Sequence, residues 1–281
     1  MIYFRFPPNF PKHLYPIGLL RQLIATFNFF DHISFRNARL NINGGQSKLI
    51  EYRNKYKKKK CIILANGPSL TQSIYDELDK SAFILGCNGI GNIIDLNKRP
   101  LDFYFTEDID QVVVRRNELN KVKSLEKFCA LHNSFAFNSK NFKKFYAPVR
   151  KHMIPHDEYE PSFSKDFAGN VHLGYTIVYI MLQFAYFAGF NEVEIYGLNH
   201  DYGKLPDHFP PGKITIDKNN ISLVRECHGS KDYYKVGDVI GIPFSKNQEK
   251  AFQLAKNIFE SDNRTIINKT INSKLNIFKF E

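Results

Sequence analysis

The chain has 281 residues, of which 43% are hydrophobic and 24% charged, and a net charge of +11, the composition of an ordinary globular protein long enough for a sizeable core. No apolar run approaches the ~18–20 residues of a membrane-spanning helix, and Arg5, two prolines and Lys12 interrupt the start of the chain, so no signal peptide is expected there. Cys61, Cys87, Cys129 and Cys227 stand far apart without metal or redox spacing, which predicts free thiols in a reducing cytosol.

The charge is unevenly placed. Residues 1–60 hold twelve Lys or Arg against Asp31 and Glu51, so the rest of the chain is close to neutral. This pattern predicts a basic N-terminal extension, 1–59, ahead of a main domain, 60–281. Within the extension, 13–35 shows helical spacing of Leu19, Leu20, Leu23, Ile24 and Phe27, and Gly44-Gly45 then breaks the chain. The helix has two readings, packing on the main domain or peripheral contact with an anionic membrane through residues 1–60. The lysines at 57–60 read equally as a solvated run before a strand. With no recognised nucleic-acid motif, no nucleic-acid partner is expected.

From residue 61 strands and helices alternate. Strand-like "CIILA" (61–65) precedes a helical stretch near 70–79. "AFILGCN" (82–88) and "LDFYFTED" (101–108) follow, the latter leading into a charged helix to about 120. "KFCAL" (127–131) and "KKFYAPV" (143–149) read as further strands. A strong helix covers about 175–188, and "EVEIYGL" (192–198) is a strand. Segment 205–245 is irregular and Pro-rich. An amphipathic helix at 247–262 and the strand "RTIINKT" (264–270) close the pattern. Such alternation predicts an α/β fold, a Rossmann-like, mostly parallel sheet with helices on both faces. Segment 205–245 is too long for an ordinary connection in such a sheet and is expected to form a lid.

Ligands of open parallel sheets bind beyond the carboxyl ends of the strands. "CIILA" ends there in Asn66-Gly67-Pro68-Ser69. Gly67 permits close backbone approach. Pro68 suits a first helical turn. Ser69 could offer its hydroxyl and nearby helix N–H groups to a phosphate. Asn66 could place an amide on a base or sugar. An ordinary strand-to-helix turn has the same residues, and neither a Walker loop nor a GxGxxG fingerprint is present. Three further strand ends add weight: Gly86-Cys87-Asn88-Gly89, Thr106-Glu107-Asp108, and Gly197-Leu198-Asn199-His200-Asp201-Tyr202. Clustered Asn, Asp, Glu, His and Gly at one rim point to a site rather than to packing.

"ILANGPSL", "GCNGIG", "FYFTED", "HLGYTIVYIMLQFAYFAGFNEVEIYGLNHDY" and "IINKT" together resemble the domain family of unknown function numbered 115, labelled 6-hydroxymethylpterin pyrophosphokinase-like and found in bacterial surface-polysaccharide and flagellin-modification loci. The same motif order resembles, more distantly, bacterial CMP-sialic acid transferases. The resemblance covers about 60–281. It implies that Asn66, Gly67 and Ser69 hold a cytidine nucleotide, that Asn88 makes a second nucleotide or sugar contact, that Gly174 and Tyr175 mark the start of a helix near the donor, and that Asn199, His200 and Tyr202 form a further strand end. Two departures stand out: Phe244 lies where those transferases carry a catalytic His, and they lack the acidic "TED" found here.

The expected activity is therefore a glycosyltransferase taking a nucleotide-activated sugar, a CMP-nonulosonate or sialate-like donor, and passing it to a glycan or glycoprotein acceptor in surface-glycan synthesis. No cofactor is required. His228 and Asp232 in the lid segment are the candidates for general base, with His200 and Asp201 as alternatives. Thr106, Glu107 and Asp108 join the nucleotide-binding candidates. A Mg²⁺-dependent pyrophosphokinase-like phosphotransferase is the alternative, with Glu107, Asp108 and Asp110 as the acidic cluster. A non-catalytic nucleotide-binding relative is the third reading. No dedicated metal site is assigned, and the location is expected to be cytoplasmic.

Overall fold

The computed structural model describes residues 47–137, 141–147 and 158–280. The amphipathic stretch 13–35 and Gly44-Gly45 lie outside them. Helix α1 is Ser47–Ile50. The strands are β1 Lys60–Leu64, β2 Phe83–Cys87, β3 Leu101–Thr106, β4 Ser124–Ala130, β5 Lys143–Phe145, β6 Glu192–Tyr196, β7 Gly212–Thr215, β8 Val239–Ile242, β9 Thr265–Asn268 and β10 Lys279–Phe280. The remaining helices are α2 Gln72–Glu77, α3 Ile109–Lys121, α4 Ile177–Ala188, α5 Leu205–His208, α6 Ile221–Glu226 and α7 Ser245–Ser261.

Eight strands form one sheet in the order β10-β9-β6-β1-β2-β3-β4-β5, and every neighbouring pair is parallel. The side-chain period of two divides each central strand between two cores. Cys61 and Ile63 of β1 face the layer that holds α4 and α7. Ile62 and Leu64 face the layer with Tyr75 of α2 and Val112 and Leu119 of α3. Helices thus cover both faces, which is why the strands read as continuous apolar runs. Among the described residues no helix is long and apolar enough to cross a membrane.

Helix α4 is buried from Val178 to Ala188. It begins at Thr176, whose hydroxyl accepts from Val178 N–H at 3.3 Å. It ends at Gly189 (φ +93), where Phe190 N–H reaches Ala185 O at 3.1 Å, a left-handed C-terminal cap. Phe184 on this helix packs against Phe103 and Phe128 at 5.0 and 5.1 Å. Tyr52 joins them, 5.6 Å from Phe128. Leu49 and Tyr52 are core residues, so the last part of the basic stretch, drawn in sequence as outside the domain, packs against the sheet.

The connection from β6 to α7 is organised rather than irregular. It carries α5, α6 and the antiparallel pair β7–β8, and Leu205, Ile216, Val224, Tyr233, Tyr234, Ile240 and Ile242 give it a small core of its own.

One buried polar residue ties α4 to the loop before it. Gln183 Oε1 accepts from Ser164 N–H and His172 N–H, both at 3.0 Å. Its Nε2 donates to His172 O at 2.6 Å and Tyr179 O at 3.1 Å. Gln183→Leu removes the acceptor of the Ser164 and His172 N–H groups and the donor to His172 O. It is expected to cost about 2–3 kcal/mol, read as a lower midpoint in urea unfolding without a change in slope; an unchanged midpoint would show that the network contributes nothing.

Candidate active site

The chain runs β1 to β5 outward on one side of β1, then returns to place β6 on the other side. The direction therefore reverses between β1 and β6, where open α/β sheets bind ligands. Asn66 leaves β1 at this point. Its Nδ2 donates to Cys87 O at 3.3 Å. A carbonyl only accepts, so the amide is oriented and Oδ1 is its free end. Among the described residues Asn66 Oδ1 is buried without a partner, and so are Asn88 Oδ1, after β2, and Tyr233 OH of segment 205–245. Asn66, Gly89, Ile93, His228, Ser230 and Tyr233 line a small cleft between the sheet rim and segment 205–245.

Asn88 has φ +43, a conformation Asn tolerates better than most residues. Its N–H donates to Phe105 O at 3.1 Å, and Tyr104 OH donates to its carbonyl at 2.9 Å. The Tyr233 ring lies directly over Gly89, where a Cβ would stand 2.1 Å from it.

His228 Nδ1 lies 3.0 Å from Val224 O. That carbonyl requires Nδ1 to carry the hydrogen, so Nε2 of the neutral ring is a lone pair. Burial pushes the His228 pKa below its usual value, against the Val224 hydrogen bond. A neutral, oriented imidazole on the cleft wall has the form of a general base.

Two expectations at the first loop are corrected. Pro68 and Ser69 occupy the corner of a turn closed by Leu70 N–H on Gly67 O at 3.1 Å, and α2 begins only at Gln72, capped by Thr71. No helix N-terminus therefore stands at Ser69. Its hydroxyl donates to Asn199 Oδ1 at 2.8 Å, and its N–H reaches the same oxygen at 3.2 Å. Packing already requires glycine at 67: a Cβ there would lie 2.3 Å from Asn199 Oδ1 and from Gly197 O. Gly67, Ser69 and Asn199 thus form a structural seam beneath the cleft.

The remaining candidates separate into two groups. His200 Nε2 is 3.0 Å from Glu249 Oε1 on α7. Tyr202 OH donates to Gln248 Oε1 at 2.8 Å, and Gln248 Nε2 donates to Tyr175 O at 2.9 Å. Gly174 and Tyr175 both have positive φ, and Phe244 packs 5.3 Å from the Tyr175 ring. This group braces α7 against the start of α4. Asp232 is exposed and does not line the cleft, so the lid offers His228 but not Asp232.

The second group lies after β3. Thr106 is fully buried. Glu107 meets His132 and Asp108 caps α3, accepting from Asp110 N–H at 3.0 Å. Asp110 is paired with Lys213 of the lid. The three carboxylates thus have separate partners, and among the described residues no three His, Cys, Asp or Glu side chains converge as a metal-binding group. The acidic cluster anticipated for Mg²⁺ is not assembled as a shared ligand set.

Sequence reading missed two elements. Arg115, a buried side chain, pins the lid: it pairs with Asp238 at 2.6 Å and lies 4.1 Å from the Tyr233 ring centre. His132 and Asn133 follow β4. The strand-end rule already used for the other strands, applied to "KFCAL", would have found them.

The chain matches the family described as 6-hydroxymethylpterin diphosphokinase MptE-like over residues 35–204. A parallel α/β sheet with helices on both faces and a cleft at its reversal point is the class the structure defines. Within it the chain belongs to the MptE-like family, as its motifs led us to expect. Solved structures similar to it include the MAf glycosyltransferase from Magnetospirillum magneticum AMB-1, with 12% identity, a TM-score of 0.45, and coverage of 84% of this chain and 37% of that one. They also include the Campylobacter jejuni sialyltransferase CstII in complex with cytidine-5'-monophosphate, with 12% identity, a TM-score of 0.45, and coverage of 80% and 85%. The monofunctional alpha-2,3-sialyltransferase Cst-I from the same organism shows 16% identity, a TM-score of 0.43, and coverage of 79% and 80%. These are distant likenesses, and the chain spans little more than a third of the Magnetospirillum protein. No curated protein matches it.

Asp108 sets a pH test. Burial, with the Glu107 and Asp110 carboxylates adding to it, pushes its pKa up to about 6 against the Asp110 N–H and Lys213. A carboxyl with a raised folded-state pKa destabilises the fold once both states would ionise, that is above about pH 6, and costs nothing below its unfolded value near 4. Asn caps a helix as well as Asp. Asp108→Asn is therefore expected to raise stability by about 1–2 kcal/mol at pH 7.5 and to leave it unchanged at pH 3.5. Equal effects at both pH values in thermal unfolding would refute this.

Proposed function

We propose that the chain is a glycosyltransferase that takes a nucleotide-activated sugar, a CMP-linked nonulosonate or sialate-like donor, and passes the sugar to a hydroxyl of a glycan or glycoprotein acceptor in the synthesis of bacterial surface glycans. The observation that carries the reading is that Asn66 Oδ1, Asn88 Oδ1 and Tyr233 OH are buried without a hydrogen-bond partner among the described residues, Asn66 and Tyr233 lining the cleft at the sheet's reversal point and Asn88 standing next to Gly89 of its wall. Buried polar atoms are seldom left unpaired. Two carboxamide oxygens that can only accept suit a ligand with exocyclic amine and ribose hydroxyl donors, which a cytidine supplies.

In the proposed reaction His228 Nε2 takes the proton of the acceptor hydroxyl. The oxygen attacks the anomeric carbon, and the bond from that carbon to the phosphate oxygen breaks, releasing CMP. Ser230 and Tyr233 on the cleft wall are hydroxyl donors for the leaving phosphate. With the Tyr233 ring packed directly over Gly89, a nucleotide sugar enters with the lid raised, which breaks the Arg115–Asp238 and Lys213–Asp110 pairs.

The family's description as a diphosphokinase favours a second reading, ATP-dependent pyrophosphoryl transfer with Mg²⁺ near Glu107 and Asp108. Chelation separates the two. The sugar transfer is expected to survive EDTA, whereas loss of turnover in EDTA together with an inactive Asp108→Asn would move the assignment to the phosphotransferase.

Asn66→Ala is expected to weaken CMP binding by about 1–3 kcal/mol in calorimetry while the melting temperature of the free protein holds. Unchanged affinity would remove Asn66 from the site. His228→Ala is expected to lower kcat by about 10²–10⁴-fold with CMP affinity nearly unchanged. Because burial lowers the His228 pKa, the acidic limb of the wild-type kcat/KM profile should lie below the usual histidine value of about 6.5, and the variant should lack it. A variant that keeps its turnover and its acidic limb excludes His228 and shifts the test to His200.

A further inference from the structure

The ends of β3 and β4 carry a second polar cluster that the nucleotide cleft does not use. His132 Nε2 lies 3.1 Å from Glu107 Oε1. A carboxylate only accepts, so Nε2 carries the hydrogen and the neutral ring presents Nδ1 as a lone pair. That Nδ1 is buried and has no hydrogen-bond partner among the described residues. Asn133, wholly buried, donates its amide NH₂ to the Glu107 carbonyl. This fixes the amide orientation and leaves Oδ1 as its free end, again buried and unpartnered. One residue, Glu107, thus holds two acceptors in place, the ring by its side chain and the amide by its main chain.

A ligand that satisfies both must bring hydrogen-bond donors, and neutral acceptors of this kind suit hydroxyl groups. The cluster stands on the same carboxyl rim as Asn66 and Asn88, because β1, β2, β3 and β4 are successive parallel neighbours. Phe105 O, two residues before Glu107, receives Asn88 N–H at 3.1 Å, and Asp110, three residues after Glu107, pairs with Lys213. We propose that Glu107, His132 and Asn133 form a sugar-hydroxyl subsite beside the nucleotide cleft, in which His132 Nδ1 and Asn133 Oδ1 accept from hydroxyls of a hexose or nonulose ring. This inference rests on the glycosyltransferase reading. The ring belongs either to the donor or to the acceptor, whose hydroxyl chemistry is the same.

The test uses full-length ¹⁵N-labelled protein and follows the side-chain nitrogens of His132 and Asn133 by NMR, with His132→Phe identifying the His132 signal. Three ligands are added: CMP, CMP-N-acetylneuraminate, and a methyl hexopyranoside with and without CMP. CMP alone should move the Asn66 and Asn88 amides and leave His132 in place. If the subsite takes the donor's ring, CMP-N-acetylneuraminate shifts His132 Nδ1 and Asn133. If it takes the acceptor's, the hexopyranoside does so. His132→Phe should weaken the responsive sugar ligand by at least about tenfold and leave CMP affinity within about twofold of wild type. Signals of His132 and Asn133 that ignore every sugar ligand would show a structural water site only and overturn the proposal. Failure of CMP to bind in calorimetry would overturn the nucleotide cleft instead, and the hexopyranoside arm without CMP would still decide the subsite by its own signals.

Discussion

The site hangs on a close crossing of two main chains. β1 and β6 are remote in sequence and adjacent in the sheet, and their backbones stay paired past the last strand residues, with Ala65 N–H on Tyr196 O and Gly67 N–H on Gly197 O, both at 2.9 Å. Neither glycine tolerates a side chain there. A Cβ on Gly197, at φ +75, would lie 2.7 Å from Ala65 O, just as one on Gly67 would collide with Gly197 O. Because the two chains meet this closely, Asn199 reaches across to hold both polar groups of Ser69. Between the Ala65 and Gly67 bonds Asn66 turns its amide toward β2 and its carbonyl toward segment 205–245, where it receives Gly229 N–H at 2.9 Å. The cleft is the space left above this seam.

The lid is attached by a different kind of interaction from the one that holds the main domain. The sheet is clamped between two apolar layers, one of them rich in stacked and edge-on aromatic rings such as Phe105 and Phe128 at 4.8 Å. Each buried aromatic contributes on the order of 1.5–3 kcal/mol from area alone. The lid instead has its own small core and meets α3 through Arg115–Asp238, Lys213–Asp110 and the Arg115–Tyr233 stack. Arg115 and Asp238 are both largely buried, and separating a buried pair leaves an uncompensated charge, so this contact holds the segment firmly against α3.

Much of this was legible in the chain. The apolar runs at 61–65, 82–88 and 101–105, and the periodicity of 175–188 and 247–262, reproduce the observed elements to within a few residues, because buried parallel strands and their covering helices have few other ways to hide such surface. Strand-end chemistry also located Asn66 and Asn88 correctly at one rim. Pro68 was misjudged because a turn corner and a first helical turn ask for the same fixed φ. Segment 205–245 looked irregular because its elements are four to six residues long, too short for periodicity to register.

Local residue order therefore determined the layered α/β class and the strand ends at which Asn66 and Asn88 stand, since each follows from periodicity and turn chemistry along the chain. The tertiary structure alone decided what each rim residue does. Ser69 and Asn199, 130 positions apart, hydrogen-bond to each other, whereas Asn66 Oδ1 is left free. His228 enters the cleft while Asp232, four residues on, stays in solvent. Arg115 looks like one of several charges on a surface helix until Asp238 and Tyr233 close over it. Such assignments depend on partners brought together from distant parts of the chain, and a hydrogen bond made or left unmade between them leaves no trace in the order of the residues.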